Sequence, residues 1–455
     1  MDNEKLHILG EMPVKNAILK LAIPTMMGMI IQTVYNLTDT FFIGKLNDPN
    51  QVAAISICFP IFMIIQALGN LFSTGGASFI SRMLGEKEYE KANKGAAISY
   101  YSSIIMAVFT SIVILIFINP IINMIGASDQ TFQLAKEYLI IIAVFSFVLV
   151  LQVSLSGILR AEGGAKEAMN GMVLGTLINI VLDPIFILGF DMGVNGAAIA
   201  TVIGNAVGVA YFLSIFIRQK SILRISWKYF SFDKTIYADI LKIGAPASLS
   251  NILMSVVSAY SNFIAASYGD VVVASFGIVM RISSMAFMLV FGLALGYQPL
   301  AGYCYGSKDY TRLMKGLKVT VLYGTYVALF FAVVTFIFSK QLIMVFIGNV
   351  EVIEIGSRIM RAFAIPMPFI GIQMTIMVSF QAMGKGMQSL IISIGRQGLF
   401  FLPALILLNK YFGLNGFICA QPMADFLTTF LSLGLFVALW RKMQEEMHNK
   451  DIKIN

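Results

Sequence analysis

This chain of 455 residues is poor in charge: Asp, Glu, Lys and Arg make up 12% of it, against roughly a quarter in an ordinary soluble domain. It has two histidines, His7 and His448, which lie too far in sequence from any cysteine or acidic cluster to predict a metal site. Its three cysteines, Cys58, Cys304 and Cys419, are odd in number and lie in apolar stretches, which argues against a disulfide framework. The pattern G-x-x-x-x-G-K-[ST] is absent as well, so ATP hydrolysis is excluded as a source of energy.

Apolar residues are abundant instead, at 58% of the chain. A membrane crossing needs about 20 consecutive apolar residues. Twelve stretches of that kind are present, over residues 17–44, 52–81, 95–118, 132–158, 167–190, 194–217, 240–267, 271–302, 316–338, 355–382, 386–408 and 414–440. The sequence therefore predicts an all-α integral membrane protein with twelve transmembrane helices.

The basic residues predict the orientation of these helices. With both termini in the cytoplasm, roughly four times as many Lys and Arg face the cytoplasm as face outside, which is the usual bias of membrane proteins. This bias and anionic lipid explain the net charge of +8 without nucleic acid as a partner. The first five residues, MDNEK, lack the features of a cleaved signal peptide, so the first helix should be retained. We expect a multi-pass protein of the plasma membrane, the inner membrane of the cell, with the lipid bilayer as its surroundings.

The sequence also repeats itself after about 221 residues. Each half should hold six helices in the same orientation, because an even number of crossings returns the chain to its starting side. We predict an N-lobe over residues 1–217, a basic cytoplasmic linker over 218–239 and a C-lobe over 240–455. Whether the linker only connects the lobes or also regulates them is open. The aligned landmarks are 21–24 (LAIP) with 243–246 (IGAP), 85–89 (GEKEY) with 306–310 (GSKDY), and 193–197 (GVNGA) with 413–417 (GLNGF).

Two acids, Asp39 and Asp183, lie deep inside apolar stretches of the N-lobe. A carboxylate at the centre of a membrane helix costs about 3 kcal/mol on insertion scales, so each is a candidate for ion handling. The corresponding C-lobe positions hold Ser261 and Pro403, so the repeated site is neutral there. A purely structural role, in which the acids tie helices together, is the weaker alternative, since such hydrogen bonds average well under 2 kcal/mol.

Oxygen-bearing side chains accompany both acids at helical spacing. The neighbours are Gln32, Tyr35 and Asn36 on the stripe of Asp39, Asn179 one turn before Asp183, and Thr201 with Asn205 on the sixth helix. Pro184 follows Asp183 and cannot donate a hydrogen bond to the carbonyl of Ile180. Such an all-oxygen set suits a hard cation or a relay of protons.

The C-lobe offers weaker candidates. Arg281, Arg396 and Asp425 are each a single charge near a span end or beside small and polar residues, for which a snorkelling or paired structural role is at least as good an explanation as contact with a substrate. Methionines could line a promiscuous apolar pocket or simply fill helix contacts. Those that cluster in this lobe are Met254, Met280, Met285, Met288, Met367, Met374 and Met377.

Several motifs together resemble the multidrug and toxic compound extrusion (MATE) family, in its DinF and MepA-like branch, over essentially the whole chain. They are the Pro24 helix ending in Thr38-Asp39-Thr40, the Gly85-Glu86 loop, Arg160-Ala161-Glu162-Gly163 and Asp183-Pro184. The resemblance implies a cation-binding and coupling site, for H⁺ or Na⁺, at Asp39, Asn179, Asp183 and Thr201. It leaves Gln32, Tyr35, Asn36, Asn205, Met254 and Met285 as supporting or substrate-path residues. A branch with acids in helices seven and ten fits poorly, because those spans carry no Asp or Glu in their apolar parts.

The function that the resemblance implies is antiport, in which an organic, often cationic and amphipathic drug leaves as a coupling ion enters. Such a protein is a transporter rather than an enzyme, needs no cofactor, and is expected to work as a monomer. A lipid-linked oligosaccharide flippase is the alternative, but a pyrophosphate cargo calls for several basic residues along the pathway, and the candidates here are acidic. The Tyr-Asp and Gly-x-Gly-Asp signatures of an intramembrane aspartyl protease are absent.

Overall fold

The computed structural model describes the backbone of residues 2–45 and 48–454. Side chains at 2, 3, 36, 37, 39–41, 43, 44 and 446–454 lie outside this description, so the predicted contributions of Asn36 and Asp39 cannot be placed beyond their position in a helix.

The described chain is helical throughout. Its α-helices, α1 to α18 in order, span Asp2–Gly10, Val14–Gly44, Pro49–Gly85, Tyr89–Ile116, Ile118–Met124, Asp129–Val144, Ser146–Ala161, Ala165–Pro184, Gly193–Ile217, Lys234–Ala266, Asp270–Gly306, Tyr310–Ile337, Ser339–Met344, Val350–Ala364, Met367–Ala382, Gly386–Ile394, Phe401–Phe412 and Leu414–Ile454. Two π turns, Ile185–Gly189 and Gly395–Leu399, interrupt the spans that contain α8 and α16, and a 3₁₀ turn covers Trp227–Tyr229.

Ten helices of the described chain are long and apolar enough to cross a membrane, and two bent pairs raise the number to twelve. The pairs are α6 with α7, bent by 50°, and α14 with α15, bent by 49°. The predicted fold class is therefore confirmed, with the difference that the fourth and tenth spans are broken. The second break coincides with Pro366, whereas the first falls at Phe145 without a proline.

The backbone repeats as the sequence does. The short helices α5 and α13 precede the two bent pairs at equivalent places. Lys87 and Lys308, which are repeat mates, both adopt left-handed φ angles, of 62° and 60°. This conformation is uncommon for residues other than glycine, so its occurrence at mated positions reflects two lobes built on one plan. The lobe boundaries at 217 and 240 stay a prediction.

The lobes pack tightly where α3 meets α11. A Cβ built on Gly85 would lie 2.1 Å from the carbonyl oxygen of Tyr303, and one built on Gly306 would lie 2.1 Å from that of Arg82. Gly85 and Gly306 occupy equivalent positions of the repeat. Each glycine contacts the backbone of the opposite helix one turn before the other glycine. Only glycine allows this approach, which closes one end of the molecule about the pseudo-twofold axis.

The helix α1, which the apolar pattern did not predict, lies at this closed end. Lys5 is buried and forms an ion pair with Glu162, and its ammonium also donates to the carbonyl of Lys220 at 3.0 Å. Glu162 is fully buried and accepts further hydrogen bonds from the hydroxyl of Ser221 at 2.7 Å and the backbone N–H of Ile222 at 2.8 Å. The N-lobe thus holds the start of α1 through a carboxylate.

The C-lobe holds the other end of α1 through Arg312. Its guanidinium donates to the carbonyl oxygens of Met12 at 2.7 Å, Leu9 at 3.1 Å and Ile8 at 3.3 Å. Ile8 and Leu9 are in the last turn of α1, whose carbonyls lack intrahelical partners, and Met12 follows the helix; a cation at this end also complements the helix dipole. One short helix is therefore fastened to both lobes.

Candidate functional site

Asp183 lies near the end of α8 and is fully buried, as is almost all of Asn179 one turn earlier. The side-chain amide of Asn179 donates to Asp183 Oδ1 at 3.3 Å, which places both residues on one face of the helix as their spacing predicts. Because Pro184 has no N–H, the regular helix ends there, and a π turn follows in which the N–H of Phe190 donates to the carbonyl of Ile185 at 2.8 Å. The acid therefore lies beside a wide, irregular turn inside the span.

The sixth span, α9, packs closely on this face. A Cβ on Gly204 would lie 2.8 Å from the Cβ of Asn179, so the glycine lets α9 approach the amide directly. One turn before Gly204, the buried hydroxyl of Thr201 lies 3.1 Å from the hydroxyl of Tyr35 on α2. Asn205 donates to the carbonyl of Thr201 at 2.8 Å and so braces α9 itself. The first, fifth and sixth spans thus meet at one polar cluster.

The remaining predicted residues of the N-lobe lie on α2. Asp39 is in this helix one turn after Tyr35, and Asn36 directly follows Tyr35, but the side chains of both lie outside the described part of the chain. Gln32 is exposed, one turn before Tyr35. The structure therefore pairs Tyr35 with Thr201 and Asn179 with Asp183 through side-chain contacts, while the contribution of Asp39 stays a prediction.

The cluster offers oxygen ligands of several kinds within the membrane span: a carboxylate, an amide and two hydroxyls. The Oδ1 atom of Asn179 is buried and has no hydrogen-bond partner among the described residues. An acceptor of that kind costs about 1–3 kcal/mol when it is left unsatisfied. A proton carrier or a Na⁺ ion brought to this place would supply the missing partner, and hard cations prefer such neutral and anionic oxygens.

Sequence reasoning missed Gln152 on α7. Its Oε1 atom is buried without a hydrogen-bond partner in the described structure, and its amide nitrogen would lie 2.5 Å from a Cβ on Gly208 of α9. The signal was available, since a glutamine in the middle of an apolar span is itself unusual. Gln152 lies against α9 at Gly208, nearly two turns after Thr201, and so places a further polar group along the same helix.

In the C-lobe, Arg396 and Asp425 form a pair, which is one of the structural roles that the sequence left open for them. The Nε atom of Arg396 donates to Asp425 Oδ1 at 2.8 Å, and both side chains are largely buried. Arg281 is exposed. The two charges compensate each other within the span, so the second lobe differs from the first in carrying a fixed cation beside its acid.

The methionines of the C-lobe divide into two groups. Met367, Met374 and Met377 are buried in the core, where they fill contacts between helices rather than line a pocket. Met254 and Met285, the two proposed for the substrate path, are each 43% exposed. Met280 and Met288 lie between these groups in exposure and are partly buried.

Comparisons with known proteins agree with this architecture. The MatE family model matches residues 24–185 and 246–406, once in each half. The chain is 31% identical over 446 residues to the multidrug export protein MepA of Staphylococcus haemolyticus, covering 97% of this chain and 98% of that protein. It is 30% identical over 441 residues to MepA of Staphylococcus aureus strain MRSA252, covering 97% of each.

Among solved structures, an outward-facing multidrug resistance transporter of the MATE family superposes with a TM-score of 0.91 at 29% identity, covering 98% of each chain. The family model, the curated relatives and the solved structure all span both lobes, and with them the motifs around Pro24, Glu162 and Asp183. The chain belongs to the MATE family of transporters.

Proposed function

We propose that this protein exports structurally diverse organic compounds, many of them amphipathic cations, across the plasma membrane in exchange for H⁺ or Na⁺. The curated relatives are multidrug export proteins, which supports this cargo and does not favour the flippase alternative. We further propose that the protein works as a monomer with both termini in the cytoplasm.

The observation that carries the proposal is the burial of Asp183 inside a membrane span, where its described hydrogen-bond donor, Asn179, is a neutral amide. A charge in this position is costly, and an entering cation relieves the cost. Entry of one positive charge down a potential of about 100 mV releases about 2.3 kcal/mol, enough for up to roughly fiftyfold accumulation of a neutral cargo.

Movement of α2 would link the ion to the cargo. Pro24 removes one backbone hydrogen bond from the middle of this helix, so the helix can bend there at little cost. A narrow crevice lies beside the proline and is lined by Thr25, Gly28, Arg160 and Met172. When an ion binds near Asp183, the contact between Tyr35 and Thr201 reorganises, α2 bends, and the lobes rock about the closed end.

Purified protein in liposomes tests the proposal. Uptake of ethidium would be followed under an imposed pH gradient, then under an imposed Na⁺ gradient, and finally with neither. We expect one gradient to drive the parent protein, and Asp183→Asn and Asp39→Asn to reduce that gradient-driven uptake to background. The control is Asp129→Asn, an equal change of charge at an exposed residue in the first turn of α6.

Two results would count against the proposal. Transport by Asp183→Asn at the parent's rate would show that the coupling ion does not bind at Asp183 in the N-lobe. Failure of both gradients to move any of a panel of organic cations would return the flippase to consideration.

A further inference from the structure

Arg396 lies in the π turn Gly395–Leu399, in the middle of a C-lobe span. A wide turn of this type is frequent at functional sites, and a cation at this depth needs a compensating partner. Asp425 on α18 supplies it, through Oδ1 at 2.8 Å from Arg396 Nε. The side chains are 13% and 4% exposed, so the arginine retains some access while the acid has almost none.

Neutral groups fix the position of Asp425. Gln421 donates to Oδ1 at 3.1 Å. Gln373, on α15, donates to the backbone carbonyl of Asp425 at 2.5 Å and to the hydroxyl of Thr429 at 2.6 Å. Gln373 is fully buried, and its Oε1 atom has no hydrogen-bond partner in the described structure. Asp425 is therefore held in one position, and Gln373 Oε1 beside it is a buried acceptor without a partner among the described residues.

Only one of the three nitrogen atoms of the Arg396 guanidinium makes a hydrogen bond within the described residues. Its Nε atom makes the bond to Asp425, and within the described residues the two terminal amino groups make no hydrogen bond. The group also lies over the ring of Phe287, 5.0 Å from the centroid. A guanidinium that binds with Nε on one side presents its two terminal nitrogens as a parallel pair of donors on the other.

The position of this pair relative to the lobes follows from α11. Phe287 stacks on Phe291, with ring centroids 6.0 Å apart, and both pack against the apolar cluster that contains Leu21 and Ala22 of the N-lobe. A Cβ on Gly292, next to Phe291, would lie 3.0 Å from Met26 on α2. Arg396 is thus found beside the boundary between the lobes, along which a cargo must pass.

We propose that Arg396 binds the carboxylate of zwitterionic or anionic aromatic cargo, with the ring of Phe287 supporting the apolar body of that cargo and Asp425 positioning the guanidinium. This inference rests on the proposed export function and assigns to Arg396 the recognition of one part of the cargo. Two parallel N–H donors match the two oxygens of a carboxylate, a fit that an ammonium cannot reproduce. Cationic cargo, by the same chemistry, makes no use of this site.

A purely structural ion pair is the competing explanation, and it predicts a different outcome. Such a pair contributes little net stability compared with a neutral replacement, and it has no reason to distinguish between cargoes. The distinction between cargoes is therefore what the experiment measures.

Rhodamine 110, which carries a carboxylate, and rhodamine 123, its methyl ester, share one aromatic body and form a matched pair of probes. Their dissociation constants would be measured by fluorescence anisotropy with the full-length protein in lipid nanodiscs. The double variant Arg396→Gln with Asp425→Asn removes both charges together and so leaves no buried charge unpaired. Arg396→Lys keeps the charge without the parallel donors. Arg358→Gln, at an exposed arginine of the same lobe, is the control.

We expect the double variant to weaken binding of rhodamine 110 by roughly tenfold to a hundredfold, as loss of charged hydrogen bonds does, and to change binding of rhodamine 123 less than about twofold. Arg396→Lys should give an intermediate loss for rhodamine 110 alone. The control should bind both dyes as the parent does.

Equal weakening of both dyes, or of neither, would overturn the inference and assign the pair a structural role, while the proposed export function would stand because rhodamine 123 is still bound. Failure of the parent to bind either dye would overturn both.

Discussion

The two lobes share a backbone plan and differ in how each holds a buried acid next to a π turn. In the N-lobe, Asp183 precedes its π turn and accepts a hydrogen bond from the neutral amide of Asn179. In the C-lobe, the π turn itself carries Arg396, which binds Asp425. The amide of Asn179 contributes no counter-charge, whereas the guanidinium of Arg396 balances its acid permanently. In the proposed mechanism the N-lobe takes up a transient cation, while the C-lobe carries a fixed one.

The largest effect is expected on the stability of variants that lose a single buried charge. Arg396→Gln leaves Asp425 buried without its counter-charge and should cost about 3–5 kcal/mol. Asp183→Asn should cost less than about 1 kcal/mol, because the amide oxygen of the new asparagine accepts the same bond from Asn179. Thermal unfolding in detergent measures both. Adding Asp425→Asn to Arg396→Gln should restore most of the loss, and equal costs in the two lobes would break the comparison.

Positions that the lobes share should respond alike. Gly85→Ala and Gly306→Ala each place a Cβ against the backbone of the other lobe, at a cost of about 1–3 kcal/mol, and should open the closed end of the molecule to similar extents. Maleimide labelling of Cys304, which is fully buried, reports the opening in a Cys58→Ser and Cys419→Ser background.

We expect labelling to rise about tenfold in both glycine variants. Gly277→Ala is the matched control, since nothing lies within 4 Å of its added Cβ in the same helix as Gly306. A response at only one of the two mates would show that the contact is not symmetric.

A smaller effect is expected where the N-lobe alone has a polar contact. Tyr35→Phe removes the hydroxyl that lies 3.1 Å from Thr201, whereas the repeat mate of Tyr35, counted from Pro24 and Pro246, is the apolar Val257. Loss of about 1 kcal/mol should lower ion-driven ethidium transport roughly fivefold. Tyr326→Phe, at an exposed tyrosine of α12, should transport as the parent does. Unchanged transport by Tyr35→Phe would show that the contact between α2 and Thr201 takes no part in ion coupling.

The smallest effect concerns the two anchors of α1. Burial raises the pKa of the Glu162 carboxyl, and Lys5 opposes that shift. Because the pKa in the folded state is then above the unfolded value of about 4.3, the contribution of this group to stability is present at low pH and is lost as pH rises through the folded-state pKa. Between the unfolded value and the folded-state pKa, Tm of the parent should fall as pH rises, and Glu162→Gln should remove that fall, which amounts to a few degrees at most.

The C-lobe anchor provides the contrast, since Arg312 binds carbonyl groups that do not titrate. Arg312→Gln should lower Tm by the same amount at every pH. A Tm profile of Glu162→Gln with the slope of the parent would show that this carboxyl keeps its ordinary pKa.

The membrane spans and the repeat could be predicted from the sequence because both leave local signals. Runs of about 20 apolar residues indicate the crossings, and landmarks such as Gly85 and Gly306 recur at a fixed distance. The pairing of Asn179 with Asp183 is equally local, since four residues form one helical turn. The break at Phe145 could not be predicted, because no proline or glycine accompanies it.

Contacts between distant helices account for most of what was missed. Arg396 and Asp425 lie 29 residues apart on different helices, and apolar residues face both lipid and protein, so hydropathy does not tell which side of a span faces the interior. The helix α1 is too short to show as a span, and the partners of Lys5 and Ile8 lie 157 and 304 residues further along. The polarity of Gln373 was visible, but its role depends on Asp425.

The double anchoring of α1 has a consequence for how the protein is made. The helix is synthesised well before Arg312, which binds Met12 and follows it by 300 residues. At about 5–20 residues per second, that gap lasts roughly 15–60 s. During that time Lys5 can pair with Glu162 of the N-lobe, but the C-terminal end of α1 lacks its second anchor, so complete docking of the helix waits for the C-lobe. A protein cut short before Arg312 would hold α1 at Lys5 but not at its C-terminal end, a difference that cellular proteases could detect.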